Sequence, residues 1–165
     1  MTFMKNYILV MLLIYSFTVN AQFGEVHFVD TTIFGPVSIK TADFDNDGDL
    51  DIATVASFDD RASWYENINA LGDYSTVNDL GVLNVATSFA VHDIDGDALI
   101  DILATSFAND KLVWYKNNVP DNNNFSAEQT ITTDADGAFL VKTADMDSDG
   151  LIDLVLSSDN DNRIV

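Results

Sequence analysis

Short apolar runs bounded by polar turns recur along this chain. Three of them directly follow acid-rich turns, at residues 52–57, 102–106 and 154–158. Three more lead into the same turns, at residues 37–42, 87–92 and 139–144. Runs of this length, rich in β-branched and small apolar residues and flanked by Asp and Asn, are typical of β-strands. The pattern therefore predicts an all-β fold with a strand on each side of every acidic turn.

The three acidic turns share one spacing, with aspartates at positions 1, 3, 5 and 9 of a nine-residue loop. These are Asp43, Asp45, Asp47 and Asp51 in loop 1 (residues 43–51), Asp93, Asp95, Asp97 and Asp101 in loop 2 (residues 93–101), and Asp145, Asp147, Asp149 and Asp153 in loop 3 (residues 145–153). Calcium takes about six to eight oxygen ligands, and alternating side chains of a turning backbone can converge on one point. The spacing predicts one calcium cage per loop; the alternative is a solvated acidic turn.

These loops do not match the EF-hand pattern. An EF-hand needs a glutamate at position 12 between two helices. Position 12 is Thr54, Ala104 and Leu156 in the three loops, and the residues around it favour strands. Each loop is therefore predicted to join two strands.

The remainder of the sequence repeats with the loops. An aromatic residue followed by a small one recurs every 51 residues, at Phe23, Tyr74 and Phe125. These positions divide the chain into units of about 23–73, 74–124 and 125–165. Each unit holds material for about four short strands, as one blade of a β-propeller does. The third unit is truncated, so the predicted fold is all-β: three tandem blades of four-stranded antiparallel sheet in an incomplete propeller.

Together these features resemble the FG-GAP-like or VCBS-type repeat family, which is related to the calcium-bearing blades of integrin α-subunit propellers. The acidic loops, the apolar runs after them and the segments Trp-Tyr-Glu-Asn67 and Trp-Tyr-Lys-Asn117 carry the resemblance over most of residues 23–165. It implies a β-propeller with up to three Ca²⁺ ions in loops on one face. By that resemblance the twelve loop aspartates are ligands, and each position-7 carbonyl adds one more, from Asp49, Leu99 and Leu151.

Loop 2 departs from the pattern. Ala98 stands at position 6, where the other loops have Gly48 and Gly150, and Gly96 comes two residues earlier. A side chain at a positive-φ position costs about 1 kcal/mol or more. Loop 2 is therefore expected to be the weakest site.

The repeated aromatic pairs allow two interpretations. The side chains could stack on sugars, or they could pack between blades; the residues are Trp64, Tyr65, Trp114 and Tyr115. Packing is favoured, because the pairs recur at one position of the repeat. One member of each pair is expected to face the opposite side of its sheet, since successive strand residues alternate.

The N-terminus has the features of an export signal at residues 1–21. Lys5 precedes an apolar run at residues 8–17. Val19 and Ala21 are the small residues expected before a signal-peptidase cleavage site, and cleavage there would make Gln22 the first residue of the mature chain. The run is too short to span a bilayer, although an N-terminal membrane anchor is the alternative. The chain contains no cysteine, so disulfides are excluded. The mature chain is predicted to be secreted or held at the cell surface, with no membrane span.

The strong negative charge of the chain limits the classes of partner that it can bind. The full chain carries a net charge of −20, and removing the signal, which contains Lys5, leaves 6 basic against 27 acidic residues, or −21. Such a surface repels nucleic acid and anionic membranes.

The sequence shows no catalytic constellation, so the first hypothesis is a non-enzymatic, calcium-stabilised module for binding or adhesion. Surface glycans or proteins are the expected partners. The alternatives are the leading part of a secreted carbohydrate-active enzyme, or a truncated remnant without independent function. Three blades do not close a propeller ring, so further blades of the same protein are expected downstream of Val165.

Overall fold

The computed structural model describes residues 26–119 and 125–165. The predicted signal at residues 1–21 lies outside these ranges. The described residues form eleven strands and no helix. The first sheet contains β1 (Pro36–Ala42), β2 (Asp51–Ala56), β3 (Arg61–Tyr65) and β4 (Asn78–Val82). The second contains β5 (Ala86–His92), β6 (Asp101–Ser106), β7 (Lys111–Tyr115) and β8 (Gln129–Thr132), and the third β9 (Ala138–Ala144), β10 (Asp153–Ser158) and β11 (Arg163–Ile164).

Every sheet is an antiparallel meander in which strands pair in the order they follow along the chain. The sheets therefore have four, four and three strands, and none closes into a barrel. This confirms the predicted all-β class and its tandem antiparallel sheets. Within the described ranges, no helix has the length and apolar character needed to cross a membrane.

The sheets stack through their first strands. β1 lies against β5, and β5 lies against β9. Ser38 Oγ accepts a hydrogen bond from Phe89 N at 3.3 Å, and Ser88 Oγ accepts one from Val141 N at 3.4 Å. Because Ser38 and Ser88 occupy the same position of the repeat, the three first strands run side by side in matching register. This is the arrangement of inner strands in neighbouring propeller blades.

The sheets and the sequence units have the same period but different phases. The segment after Tyr74 forms β4 of the first sheet, and the segment after Phe125 forms β8 of the second. Bridges between Asn67 and Tyr74 and between Asn117 and Phe125 fold the chain back at these points. The opening segment of a unit therefore becomes the outer strand of the preceding sheet.

Two cores hold the stack together. The first interface, between the first and second sheets, buries a cluster that includes Phe44, Trp64, Phe89 and Tyr115. The second interface, between the second and third sheets, buries smaller side chains, among them Leu103, Leu112, Val141 and Leu156. β6 is buried along its whole length because it lies between two sheets, and its apolar residues Ile102, Leu103 and Ala104 are consecutive.

The repeated aromatic pairs serve packing, as the sequence indicated. Trp64 and Tyr115 belong to the first interface, whereas Trp114 packs at the second. Tyr65 lies on the outer face of the first sheet, where its hydroxyl donates to Asp30 Oδ2 at 2.7 Å. Each pair is thus divided between the two faces of its sheet.

Candidate metal centres

The three acidic loops lie at one edge of the stack. Each joins the first and second strands of its sheet, β1 to β2, β5 to β6 and β9 to β10. Since the three first strands run side by side in register, the loops that follow them emerge at the same end. Asn117 Nδ2, next to loop 2, donates to Phe44 O of loop 1 at 2.7 Å, which ties the two loops together across the first interface.

In every loop, the aspartates at positions 1, 3 and 9 converge. Each triplet places one carboxylate oxygen per residue within 4.8 Å of the others. The triplets are Asp43, Asp45 and Asp51; Asp93, Asp95 and Asp101; and Asp145, Asp147 and Asp153. The fold thus brings together nine of the twelve side chains that the sequence indicated.

The position-1 aspartate bends the loop around its own carboxylate. Asp43 accepts hydrogen bonds from Asp47 N at 3.1 Å and Gly48 N at 3.0 Å. Asp93 and Asp145 accept the corresponding bonds from positions 5 and 6. Each of these carboxylates is therefore held before any cation arrives.

The remaining predicted ligands stand outside the triplets. The position-5 carboxylates of Asp47, Asp97 and Asp149 each accept a hydrogen bond from the amide of position 7, over 2.8 to 3.0 Å. Those amides belong to the residues whose carbonyls were expected as ligands: Asp49, Leu99 and Leu151. The side chain of Asp49 adds a buried Oδ1 with no hydrogen-bond partner among the described residues.

Two positions of each loop need a positive φ, where the sequence had indicated one. Position 6 has φ of 100° at Gly48, 71° at Ala98 and 88° at Gly150. Position 4 has φ of 63° at Asn46, 79° at Gly96 and 64° at Ser148. Gly96 is therefore not a displaced position-6 glycine. It fills the other left-handed position, which Asn and Ser tolerate in loops 1 and 3.

The position-9 aspartate connects its loop to the body of the sheet. Asp51 Oδ2 accepts from Phe44 N at 2.8 Å, and Oδ1 accepts from Asn67 N at 2.8 Å. Asp101 repeats this with Ile94 N at 3.1 Å and Asn117 N at 2.8 Å. Burial raises the pKa of both carboxyl groups.

Asn67 and Asn117 are the residues of the site that the sequence analysis did not assign. Their backbone N–H groups donate to the position-9 aspartates. Their side chains donate to loop carbonyls: Asn67 to Leu50 O, and Asn117 to Phe44 O and Ile100 O. The sequence did contain an indication of their shared role, because both asparagines follow a Trp-Tyr pair by the same interval.

The donor set fits calcium. All the converging atoms are carboxylate oxygens, the ligand type that hard divalent cations prefer. Burial and the nearby charge of Asp51 raise the pKa of Asp45 to about 6, so ionisation of Asp45 is disfavoured among these carboxylates. A bound divalent cation would neutralise them and hold the turn.

Fold and site together define a β-propeller-like repeat protein with acidic loops suited to cations. A profile of the FG-GAP-like repeat matches residues 43–104 and again 93–156. These matches cover more than half of the chain, so the chain belongs to the FG-GAP-like repeat family. A search of curated proteins found no match.

Proposed function

We propose that this chain is an exported, calcium-stabilised propeller module that binds glycans or proteins at or outside the cell surface without catalysis. The observation that carries this proposal is the convergence of three carboxylates in each of three equivalent loops. Family membership supports it, because FG-GAP-like repeats commonly bind Ca²⁺ and are typical of extracellular or surface proteins.

The proposed role of calcium is to join each loop to its sheet. In loop 1, the cation would be held by Asp43, Asp45 and Asp51, and Asp51 already bonds the amides of Phe44 and Asn67. Neutralising the cluster would remove the repulsion between carboxylates that Asp51 otherwise shares with Asp45. The loops would then be stable in the calcium-rich medium outside the cell, where the cysteine-free chain has no disulfides.

The proposed neighbours include further blades of the same protein. The position-2 residue of loop 1, Phe44, is 1 % exposed because the second sheet covers it. The equivalent residue of loop 3, Met146, is 61 % exposed, and Phe139 and Leu140 on β9 are also exposed. A blade whose apolar face matches the covered faces of the first two sheets would bury these side chains, as propeller neighbours do.

Calcium binding can be tested by calorimetric titration of the full chain, with thermal melts in calcium and in chelator. We expect calcium to raise the melting temperature by mass action on the folded state, and magnesium to bind far more weakly because it requires near-ideal octahedral geometry. Asp145→Ala should remove one site. Failure to bind calcium at millimolar concentration would refute the proposal.

Export and binding need separate experiments. Mass spectrometry of the protein recovered from the medium should show Gln22 as the first residue. A glycan array and a cell-surface binding assay should then give signals that chelator removes, with the Asp145→Ala chain as the matched control. Binding that chelator leaves unchanged would separate recognition from the calcium loops.

A further inference from the structure

Loop 2 contacts a cation that the chain itself provides. Lys116 directly follows β7, and its Nζ contacts the carboxylate of Asp95 and lies 2.9 Å from Asp97 Oδ2. Asp95 belongs to the carboxylate triplet of loop 2, and Asp97 is its position-5 aspartate. The ammonium therefore sits among the groups that would otherwise face a metal ion.

At the position equivalent to Lys116, the first sheet has an acidic residue, Glu66. Tyr65 pairs with Ile52, and Tyr115 pairs with Ile102. The next residues, Glu66 and Lys116, are therefore equivalent in the two sheets. The pairing of the strands places Glu66 at the end of β3, beside loop 1, as it places Lys116 at the end of β7, beside loop 2. One repeat position thus makes loop 1 more negative and loop 2 less negative.

Most features of the backbone are common to the two loops. Both have positive φ at positions 4 and 6, and in both the position-1 aspartate accepts the amides of positions 5 and 6. The position-9 aspartates also accept equivalent pairs of amides. The charged side chains differ: loop 2 has Lys116 where loop 1 has Glu66, and Leu99 where loop 1 has Asp49. The backbone of loop 2 is shaped for a cation, and a lysine supplies the positive charge.

We propose that Lys116 replaces calcium in loop 2, so that the chain binds two calcium ions, at loops 1 and 3, instead of three. This inference rests on the proposal that the acidic loops bind calcium, and it specifies which of them do. An ammonium is a compact point charge with three donors, and it satisfies two of the loop carboxylates without any dependence on the calcium concentration. Loop 2 would therefore stay ordered when loops 1 and 3 lose their ions.

The test is a count of bound calcium ions by native mass spectrometry and calorimetry on the full chain. We expect two ions for the natural sequence and three for Lys116→Gln. The matched control is Lys111→Gln at the other end of β7, where the lysine pairs with Glu128 at 2.6 Å; it removes the same charge and should leave the count at two. Glu66→Lys should lower the count by one, because it places an ammonium beside loop 1.

A second pair of variants leaves Lys116 in place. Asp45→Asn should remove one calcium ion, whereas Asp95→Asn should leave the number unchanged. Three ions on the natural sequence, or loss of an ion in Asp95→Asn, would overturn the role of Lys116 while leaving calcium binding intact. No calcium on any of these chains would instead refute the proposed function and the inference with it.

Discussion

The two interfaces of the stack are built from different side chains. The first buries large aromatic residues, with Phe44 of loop 1 in edge-to-face contact with Trp64 and Phe125 at 6.3 and 5.7 Å between ring centroids. The second buries aliphatic residues, and the loop 2 residue at the same position, Ile94, is only partly buried there. Loop 1 is therefore part of a hydrophobic core, whereas loop 2 touches the edge of one.

The position-9 aspartates anchor the loops through backbone amides. Asp51 and Asp101 each accept two backbone amides, while Asp153 accepts one, from Met146 N at 2.9 Å. The second amide comes from the asparagine after the third strand, Asn67 in the first sheet and Asn117 in the second. The second anchor of loops 1 and 2 therefore depends on the third strand of the same sheet.

The largest effect expected from this comparison is that of Phe44→Ala. Removing a buried aromatic side chain costs about 3–5 kcal/mol, and Phe44 is 1 % exposed. Denaturant unfolding of the full chain should show this loss. The matched control is Met146→Ala, which alters the equivalent but exposed residue and should change the free energy of unfolding by about 0.5 kcal/mol or less. Equal losses would mean that the two loops do not differ in packing.

The next effect separates the two asparagines. Asn117→Ala leaves Phe44 O and Ile100 O without their side-chain donor. It should lower the free energy of unfolding by about 1–3 kcal/mol. Asn67→Ala should cost less, because the side-chain amide of Asn67 donates only to Leu50 O and its Oδ1 has no partner among the described residues. Thermal melts of both variants, in calcium and in chelator, measure the difference. A larger loss for Asn67→Ala would contradict the link between loops 1 and 2.

A smaller effect concerns pH. In the fold the pKa of Asp45 is raised from 3.8 to about 6, so the folded chain holds this proton more tightly than the unfolded chain does. With calcium chelated, stability should therefore fall as pH rises between these values, by about 1 kcal/mol after solvent screening. Calcium should reverse the loss above pH 6, since it binds the ionised carboxylates. Melts of Asp45→Asn from pH 4 to 7 should show a flatter dependence; an unchanged slope would assign the effect to other groups.

The smallest effect tests the backbone. Ala98 has φ of 71°, so Ala98→Gly should stabilise the chain by up to about 1 kcal/mol through relief of the left-handed conformation. Gly48→Ala, at φ of 100°, should destabilise it. Denaturation midpoints of the two variants should move in opposite directions. A stabilising Gly48→Ala would show that position 6 does not need a positive φ.

Much of this arrangement was predictable from the sequence. The spacing of aspartates located the loops, and the apolar runs on either side predicted the strands that form β1 and β2 and their equivalents. The recurrence of Trp64 and Trp114 indicated packing, and both tryptophans lie at the interfaces. These features are local, because side-chain alternation and turn geometry act over a few residues.

Other features depended on pairing between distant segments. The amide of Asn67 reaches Asp51 over 16 residues, and Lys116 reaches Asp95 over 21. Neither contact follows from spacing alone, since it requires the register of β2 with β3 or of β6 with β7. The sequence also did not reveal that position 4 needs a positive φ. Only loop 2 has a glycine there, Gly96, whereas loops 1 and 3 have Asn46 and Ser148.

The sequence by itself determined the all-β class, the period of the repeat and the three carboxylate loops, because strand alternation and loop spacing are encoded within about ten consecutive residues. Only the tertiary structure decided which strands share a sheet, which aspartates are tied to the core and which loop meets a lysine. Those outcomes depend on strand register and on stacking of neighbouring sheets. A shift of one residue in register would point Lys116 away from loop 2.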